Sequence, residues 1–231
     1  MELAKRLACL HAHHSNIGYA ERAFSQFNIE LVHFVDPGLL HQLTAEQTFN
    51  AAQKAREQIE WMASCRADAI LITCTNYIAV LQEAEFSISV PVINIDEPFF
   101  EQICQTEMRQ LMLFSNPATV AGTMERLNEY ARQRKKSPDV ECIILEHTFD
   151  LIMRGHKEMY DAEIEKRIKQ IANNENRLLS VVQLSMVDAA KAAESSISEM
   201  IINPLDPLKH YVEGLLKLER RQGVAENEKL S

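Results

Sequence analysis

Hydrophobic and polar positions along this 231-residue chain fall into two alternating textures. Short runs are apolar at consecutive positions and β-branched in places. Longer stretches between them repeat apolar residues every three or four positions. The first texture is that of strands covered on both faces, the second that of amphipathic helices. Strands are predicted at residues 6–11, 29–35, 69–74, 90–95, 110–115, 140–146, 178–184 and 199–203. The clearest helix opens at Thr44, where Thr44-x-x-Gln47 has the form of a capping box, and continues with Phe49, Ala52, Ile59 and Met62 at helical spacing. Another carries Ile164, Ile168 and Ile171 on one stripe. Trp61, Phe49, Met62 and that isoleucine stripe are expected in the core, and the acids within 158–165 on a solvated helix face with nearby Lys and Arg. The fold class is α/β with mostly parallel strands.

Eight such units could close as one (β/α)₈ barrel or divide into two lobes, and an internal echo favours division. Leu7-Ala8-Cys9-Leu10-His11 followed by Ser15-Asn16 is answered by Leu111-Met112-Leu113-Phe114 followed by Ser115-Asn116. Leu71-Ile72-Thr73-Cys74-Thr75 is answered by Val181-Val182-Gln183-Leu184-Ser185, and Ile93-Asn94-x-Asp96 by Ile202-Asn203-x-x-Asp206. The offsets all lie at about 100–110 residues, so the second half repeats the first in order. The expectation is two pseudo-symmetric lobes with a cleft between them, each a four-stranded mostly parallel sheet flanked by helices. The first would span 1–100, joined by the C-terminal helix 207–221, and the second 101–206; the tail 224–231 reads as frayed. Ligands of such sheets bind beyond the carboxyl ends of the strands, which directs attention to 11–16, 74–76, 115–119, 146–150 and 184–186.

Composition narrows the function classes. The chain is 46% hydrophobic and 25% charged, which suits a globular protein and excludes a disordered or fibrous one. Six glycines form neither a dinucleotide fingerprint nor a P-loop, so nucleotide chemistry is not expected. The net charge of −9 argues against nucleic acid as a partner. The basic run Arg132, Arg134, Lys135, Lys136 reads as a helix end, where positive charge complements the dipole. Five cysteines without a C-x-x-C pair suggest neither a disulfide framework nor a zinc site, and a reducing cytoplasm fits them. No signal peptide or membrane-spanning stretch is apparent, so no membrane partner is expected.

Cys74 is the strongest chemical candidate. It closes an apolar strand just ahead of a helix, whose positive end would favour the thiolate and whose amides could hold a carboxylate. Cys9, Cys65, Cys104 and Cys142 read as packing residues. His11-Ala12-His13-His14 follows the first strand; His11 or His13 could bind substrate, move a proton, or hold a metal as in barrel hydrolases. His147 could donate a proton in the second lobe.

The motifs Leu71-Ile72-Thr73-Cys74-Thr75-Asn76, Pro91-Val92-Ile93-Asn94-Ile95-Asp96-Glu97-Pro98, Phe114-Ser115-Asn116-Pro117-Ala118-Thr119-Val120 and Val182-Gln183-Leu184-Ser185-Met186 resemble, in this order, the aspartate/glutamate/hydantoin racemase superfamily. The resemblance runs over about residues 6–220. It implies cofactor-independent proton transfer next to a carboxylate, with a cysteine from each lobe serving opposite faces of an amino acid or related small acid. Cys74 matches the first-lobe cysteine, with Thr75 and Asn76 in the carboxylate-binding turn. Ser115, Asn116 and Thr119 match the second-lobe anion loop, and His11, Ser15 and Asn16 complete the expected substrate contacts. The second-lobe cysteine falls at Leu184 or Ser185, and neither is a thiol. Ser185 is then the candidate for the opposite face, with neither metal nor organic cofactor. Dimers are common among such relatives. The alternatives are a carboxylate-binding protein of the same fold without turnover, and a metal-dependent hydrolase using His11 and His13.

Overall fold

A computed structural model of the chain describes residues 4–38, 48–82, 88–174 and 177–221. The capping box at Thr44 and Gln47 and the tail 224–231 lie outside these residues, as does the side chain of Phe49. The chain divides into two compact units, Met1–Ile95 with Leu208–Ser231, and Asp96–Pro207.

Unit 1 contains β1 (Lys5–His11), α1 (Asn16–Phe24), β2 (Ile29–Val35), α2 (Thr48–Ser64), β3 (Ala69–Ile72), α3 (Thr75–Gln82) and β4 (Val92–Asn94). All strand pairs are parallel, in the order β2-β1-β3-β4. Leu7, Ala8, Cys9 and Leu10 are buried without a break, as are Ala69, Ile70, Leu71 and Ile72. Helices therefore cover both faces of the two central strands, which is why these runs are apolar rather than alternating.

Unit 2 contains α4 (Asp96–Gln105), β5 (Gln110–Phe114), α5 (Val120–Gln133), β6 (Val140–Ile144), α6 (Thr148–Met153), α7 (Lys157–Asn174), β7 (Leu178–Val181), α8 (Val187–Ile197) and β8 (Ile201–Ile202). Its strands are again all parallel, in the order β6-β5-β7-β8, the same arrangement as in unit 1. A last helix, α9 (Leu205–Leu216), begins in unit 2 and runs into unit 1. Along β5, Leu111 and Leu113 pack with Tyr160, Ile164 and Ile168 of α7, while Met112 and Phe114 pack with Phe99, Phe100 and Ile103 of α4. One strand thus feeds two cores by the two-residue period of its side chains.

The architecture is the expected α/β one, with two four-stranded parallel sheets rather than one closed barrel. Several strands are shorter than their apolar runs, because residues such as Cys74 and Leu184 already lead into the following helical turns. Trp61 corrects the sequence reading: it is 58% exposed, its ring edge-on to that of Phe34 with centroids 5.3 Å apart. The buried stripe of α2 is Ala51, Ala55, Ile59 and Met62. Two residues past Ile59, Trp61 lies roughly 200° around the helix from it. The basic run does close α5: Arg132 lies in its last turn, and the Arg134 guanidinium lies 3.5 Å above the Tyr130 ring. Among the described residues, no helix is long and apolar enough to cross a membrane.

Candidate active site

In unit 1 the ladder continues just past the strands. The Thr73 amide donates to the Leu10 carbonyl at 3.0 Å, and the Asp36 amide to the His11 carbonyl at 2.9 Å. Cys74 follows directly, half-buried, and its carbonyl accepts the Ile78 amide at 3.1 Å. It therefore stands at the mouth of α3, where the first-turn amides have no helical partner and favour negative charge. Tyr77, fully buried, anchors this turn by donating its hydroxyl to the Asp36 carbonyl at 3.1 Å. Thr75 is half-buried and Asn76 exposed.

Behind Cys74 runs a polar chain. Thr73 Oγ1 lies 2.8 Å from His11 Nδ1, and Asn16 Nδ2 donates to Thr73 Oγ1 at 3.3 Å. His11 Nε2 faces His33 Nδ1 at 2.9 Å, and His33 Nε2 meets Glu21 Oε1 at 3.0 Å. Burial, helped by the charge of His33, lowers the His11 pKa to about 4, so its ring stays neutral near pH 7. Both of its ring nitrogens are engaged within the unit, by Thr73 and His33. His13 turns elsewhere: its Nδ1 sits 2.8 Å from the Ser15 hydroxyl and accepts the Ser15 amide at 3.2 Å. Its ring lies against His14, at 4.2 Å between centroids. His11 and His13 thus have separate partners.

In unit 2 the equivalent strand ends carry hydroxyls and an amide. Gln183 Oε1 accepts from the Ser115 amide at 2.8 Å and the Ser115 hydroxyl at 3.1 Å, and its Nε2 donates to Thr119 Oγ1 at 2.8 Å. The Tyr160 hydroxyl donates to Ser115 Oγ at 2.8 Å and lies 2.9 Å from Ser185 Oγ. Since Ser115 gives its proton to Gln183 and Tyr160 gives its own to Ser115, Ser185 donates to Tyr160. Asn116 caps the turn Pro117–Thr119, its Oδ1 accepting the Ala118 amide at 3.0 Å. Ser185 is half-buried, whereas Leu184 is buried in packing. His147 is exposed ahead of α6, with φ of 66°.

Each unit thus gathers its sequence-predicted residues around partners that were missed. In unit 1 these are His33 and Glu21; the signal was a histidine inside the apolar run of β2. In unit 2 they are Tyr160 and Gln183. Tyr160 shares the stripe of Ile164 and Ile168, where its ring reads as core and its hydroxyl gives no sequence signal.

No protein-family model matches the sequence, and no curated protein matches it. Solved structures do. An aspartate racemase from Picrophilus torridus superposes with a TM-score of 0.70 at 13% identity, covering 94% of this chain and 96% of that one. The fold is that of the aspartate and glutamate racemases. An allantoin racemase from Klebsiella pneumoniae gives a TM-score of 0.65 at 17% identity, covering 93% of this chain and 88% of the other. Glutamate racemase from Francisella tularensis, solved in complex with D-glutamate, gives 0.62 at 16% identity over 92% of this chain and 81% of its own. The racemase-like motifs of the sequence and the racemase fold of the structure agree.

Proposed function

We propose that the protein is a cofactor-independent racemase- or isomerase-type enzyme, transferring a proton through Cys74 at the carbon next to the carboxylate of an amino acid or related small acid. The observation that carries this reading is the half-buried Cys74 at the mouth of α3 within a racemase fold. Its thiolate takes the proton from the α-carbon, and the electron pair left behind spreads into the carboxylate as enolate-like charge. Helix-end amides and the polar groups of Ser15, Asn16, Thr75, Asn76 and Asn116 are suited to hold that carboxylate. Ser115 and Thr119, whose hydroxyl protons go to Gln183 and the Asn116 carbonyl, brace the second-unit turn.

Inversion also needs a proton for the opposite face. Ser185 fills that role; for Tyr160 to return a proton to it, the Tyr160 hydroxyl must first turn from Ser115 to Ser185. This is a weak acid: burial pushes the Tyr160 pKa up, so leaving a phenolate there is costly. Proton removal therefore outpaces inversion. Five free thiols suit a reducing, cytoplasmic setting.

The test is NMR of α-proton loss in D₂O with aspartate, glutamate, other amino acids and a hydantoin, for wild type and Cys74→Ser. Exchange faster than loss of optical activity, abolished in Cys74→Ser, is the expected result. A second reading, a carboxylate-binding protein without turnover, is favoured by the missing thiol at Leu184 and Ser185. It predicts ligand binding with no exchange in either protein.

A further inference from the structure

Strands β1 and β2 carry a side-chain cluster that the proton transfer does not use. Cys9 and His11 alternate along β1 and share one face, and His33 stands opposite Cys9 in the parallel register. One donor atom from each of the three lies within 4.8 Å of the others. We propose that Cys9, His11 and His33 form a structural site for one divalent transition-metal ion of the zinc type. A thiolate with two imidazoles is the ligand chemistry that such ions favour over calcium or magnesium. The sequence reading expected no metal, because the chain has neither a C-x-x-C pair nor an H-E-x-x-H motif. The inference does not depend on the proposed proton transfer.

The surrounding hydrogen bonds fit the tautomers that an ion requires. The Glu21 carboxylate can only accept, so it fixes the proton of His33 on Nε2. The Thr73 hydroxyl donates to the Leu10 carbonyl at 3.2 Å, which leaves it to accept from His11 Nδ1–H. The two nitrogens left as lone-pair atoms are His11 Nε2 and His33 Nδ1, and these face each other at 2.9 Å. Two bare lone pairs repel, and a cation between them relieves that. A tetrahedral ion needs its nitrogens about 3.3 Å apart, so the rings must part by a few tenths of an ångström. Without the ion, Thr73 must turn its hydroxyl from Leu10 to His11 to keep the chain of bonds intact.

Charge and burial agree with this arrangement. Cys9 and His11 are fully buried, and burial holds the free Cys9 thiol neutral. Metal binding would release the thiol proton to solvent, and the thiolate and Glu21 together balance the double positive charge. The carboxylate behind His33 and the hydroxyl behind His11 are the outer partners that orient histidine ligands. The bound ion would tie β1 to β2 and, through Glu21, both strands to α1.

The test uses the full chain, stripped with a chelator and titrated with Co(II) and then Zn(II). The expected result is one equivalent of Co(II) with a thiolate charge-transfer band, displaced by Zn(II). Cys9→Ala should remove the charge-transfer band, and Glu21→Gln should weaken binding by roughly 10–100-fold. His33→Ala should weaken it further, while His13→Ala leaves it unchanged. Wild type alone decides if a variant fails to fold: no thiolate band at one equivalent overturns the site. A band that survives in folded Cys9→Ala, or binding lost in His13→Ala, overturns it as well by moving the ion to other groups.

Discussion

The two units share a strand order but differ in what stands at the strand ends. Unit 1 places His11 and Cys74 there, backed by Cys9 and His33 within β1 and β2 and by Glu21 of α1, groups that can change charge or hold a cation. Unit 2 places Ser115, Thr119, Gln183, Tyr160 and Ser185 there, a network of neutral hydroxyls and an amide. The backbone duplication explains the common geometry and says nothing about chemistry, which rests on a few side chains just past each strand. Under the proposed function, this racemase fold has one reactive end and one end suited to binding.

The sharpest way to break that contrast is to compare the two candidate proton carriers directly. Cys74→Ser is expected to lower α-proton exchange by about 10²-fold or more, since the thiolate performs the abstraction. Ser185→Ala should change exchange by less than about 10-fold but suppress inversion, because only reprotonation from the other side uses that hydroxyl. NMR exchange and polarimetry on the same samples separate the two. Equal losses of exchange in both variants would mean that the units are chemically equivalent after all.

Acid stability gives the next contrast. The His11 pKa is held near 4 in the folded chain against an ordinary 6.5, with burial the main cause. Between those values the unfolded chain takes up a proton that folded His11 refuses. The contribution is therefore intact above pH 6.5 and lost as pH falls toward 4, up to about 3 kcal/mol. In chelator, denaturant unfolding of wild type should show this slope, and His11→Asn should flatten it. Tyr160→Phe probes unit 2 in the same way. Losing the hydroxyl that joins Ser115 and Ser185 should cost about 1–2 kcal/mol. That cost should be equal at pH 5 and pH 7, because the network contains nothing that ionises between them. A penalty that grew with acid would show a hidden charge in unit 2.

Much of this contrast was legible in the sequence, and the rest was hidden for identifiable reasons. Uninterrupted apolar runs at 7–10 and 69–72 marked the central strands because both faces are covered. Cys74, Ser115 and Ser185 could be placed by their position after such runs. Trp61 could not, since helical spacing ranks residues by hydrophobicity and does not reveal which side of α2 meets the sheet. The partnership of Cys9, His11 and His33 depends on β1 pairing with β2 in one register, and that of Tyr160 with Ser115 on α7 crossing β5. Neither pairing leaves a trace in local spacing.

The smallest expected effect concerns one of the carboxyls through which unit 2 responds to acid. On the helix surface, the Glu101 carboxyl of α4 accepts from the Tyr130 hydroxyl at 2.8 Å and pairs with Arg134 at 3.1 Å. The Tyr130 bond chiefly, with Gln105 and Arg134 adding to it, holds the Glu101 pKa below its ordinary 4.5. A carboxyl lowered in the folded state contributes stability above the unfolded value, and that contribution disappears as pH falls through the folded one. Because Glu101 is substantially exposed, solvent screening keeps the effect under about 1 kcal/mol. Tyr130→Phe should therefore destabilise the protein by a few tenths of a kcal/mol to about 1 kcal/mol at pH 7, and by less at pH 3. Urea unfolding at the two pH values measures the difference. An equal penalty at both would remove Glu101 as the group whose titration weakens this bond and leave the acid response of unit 2 to its other shifted carboxyls, Asp96, Asp161 and Glu163.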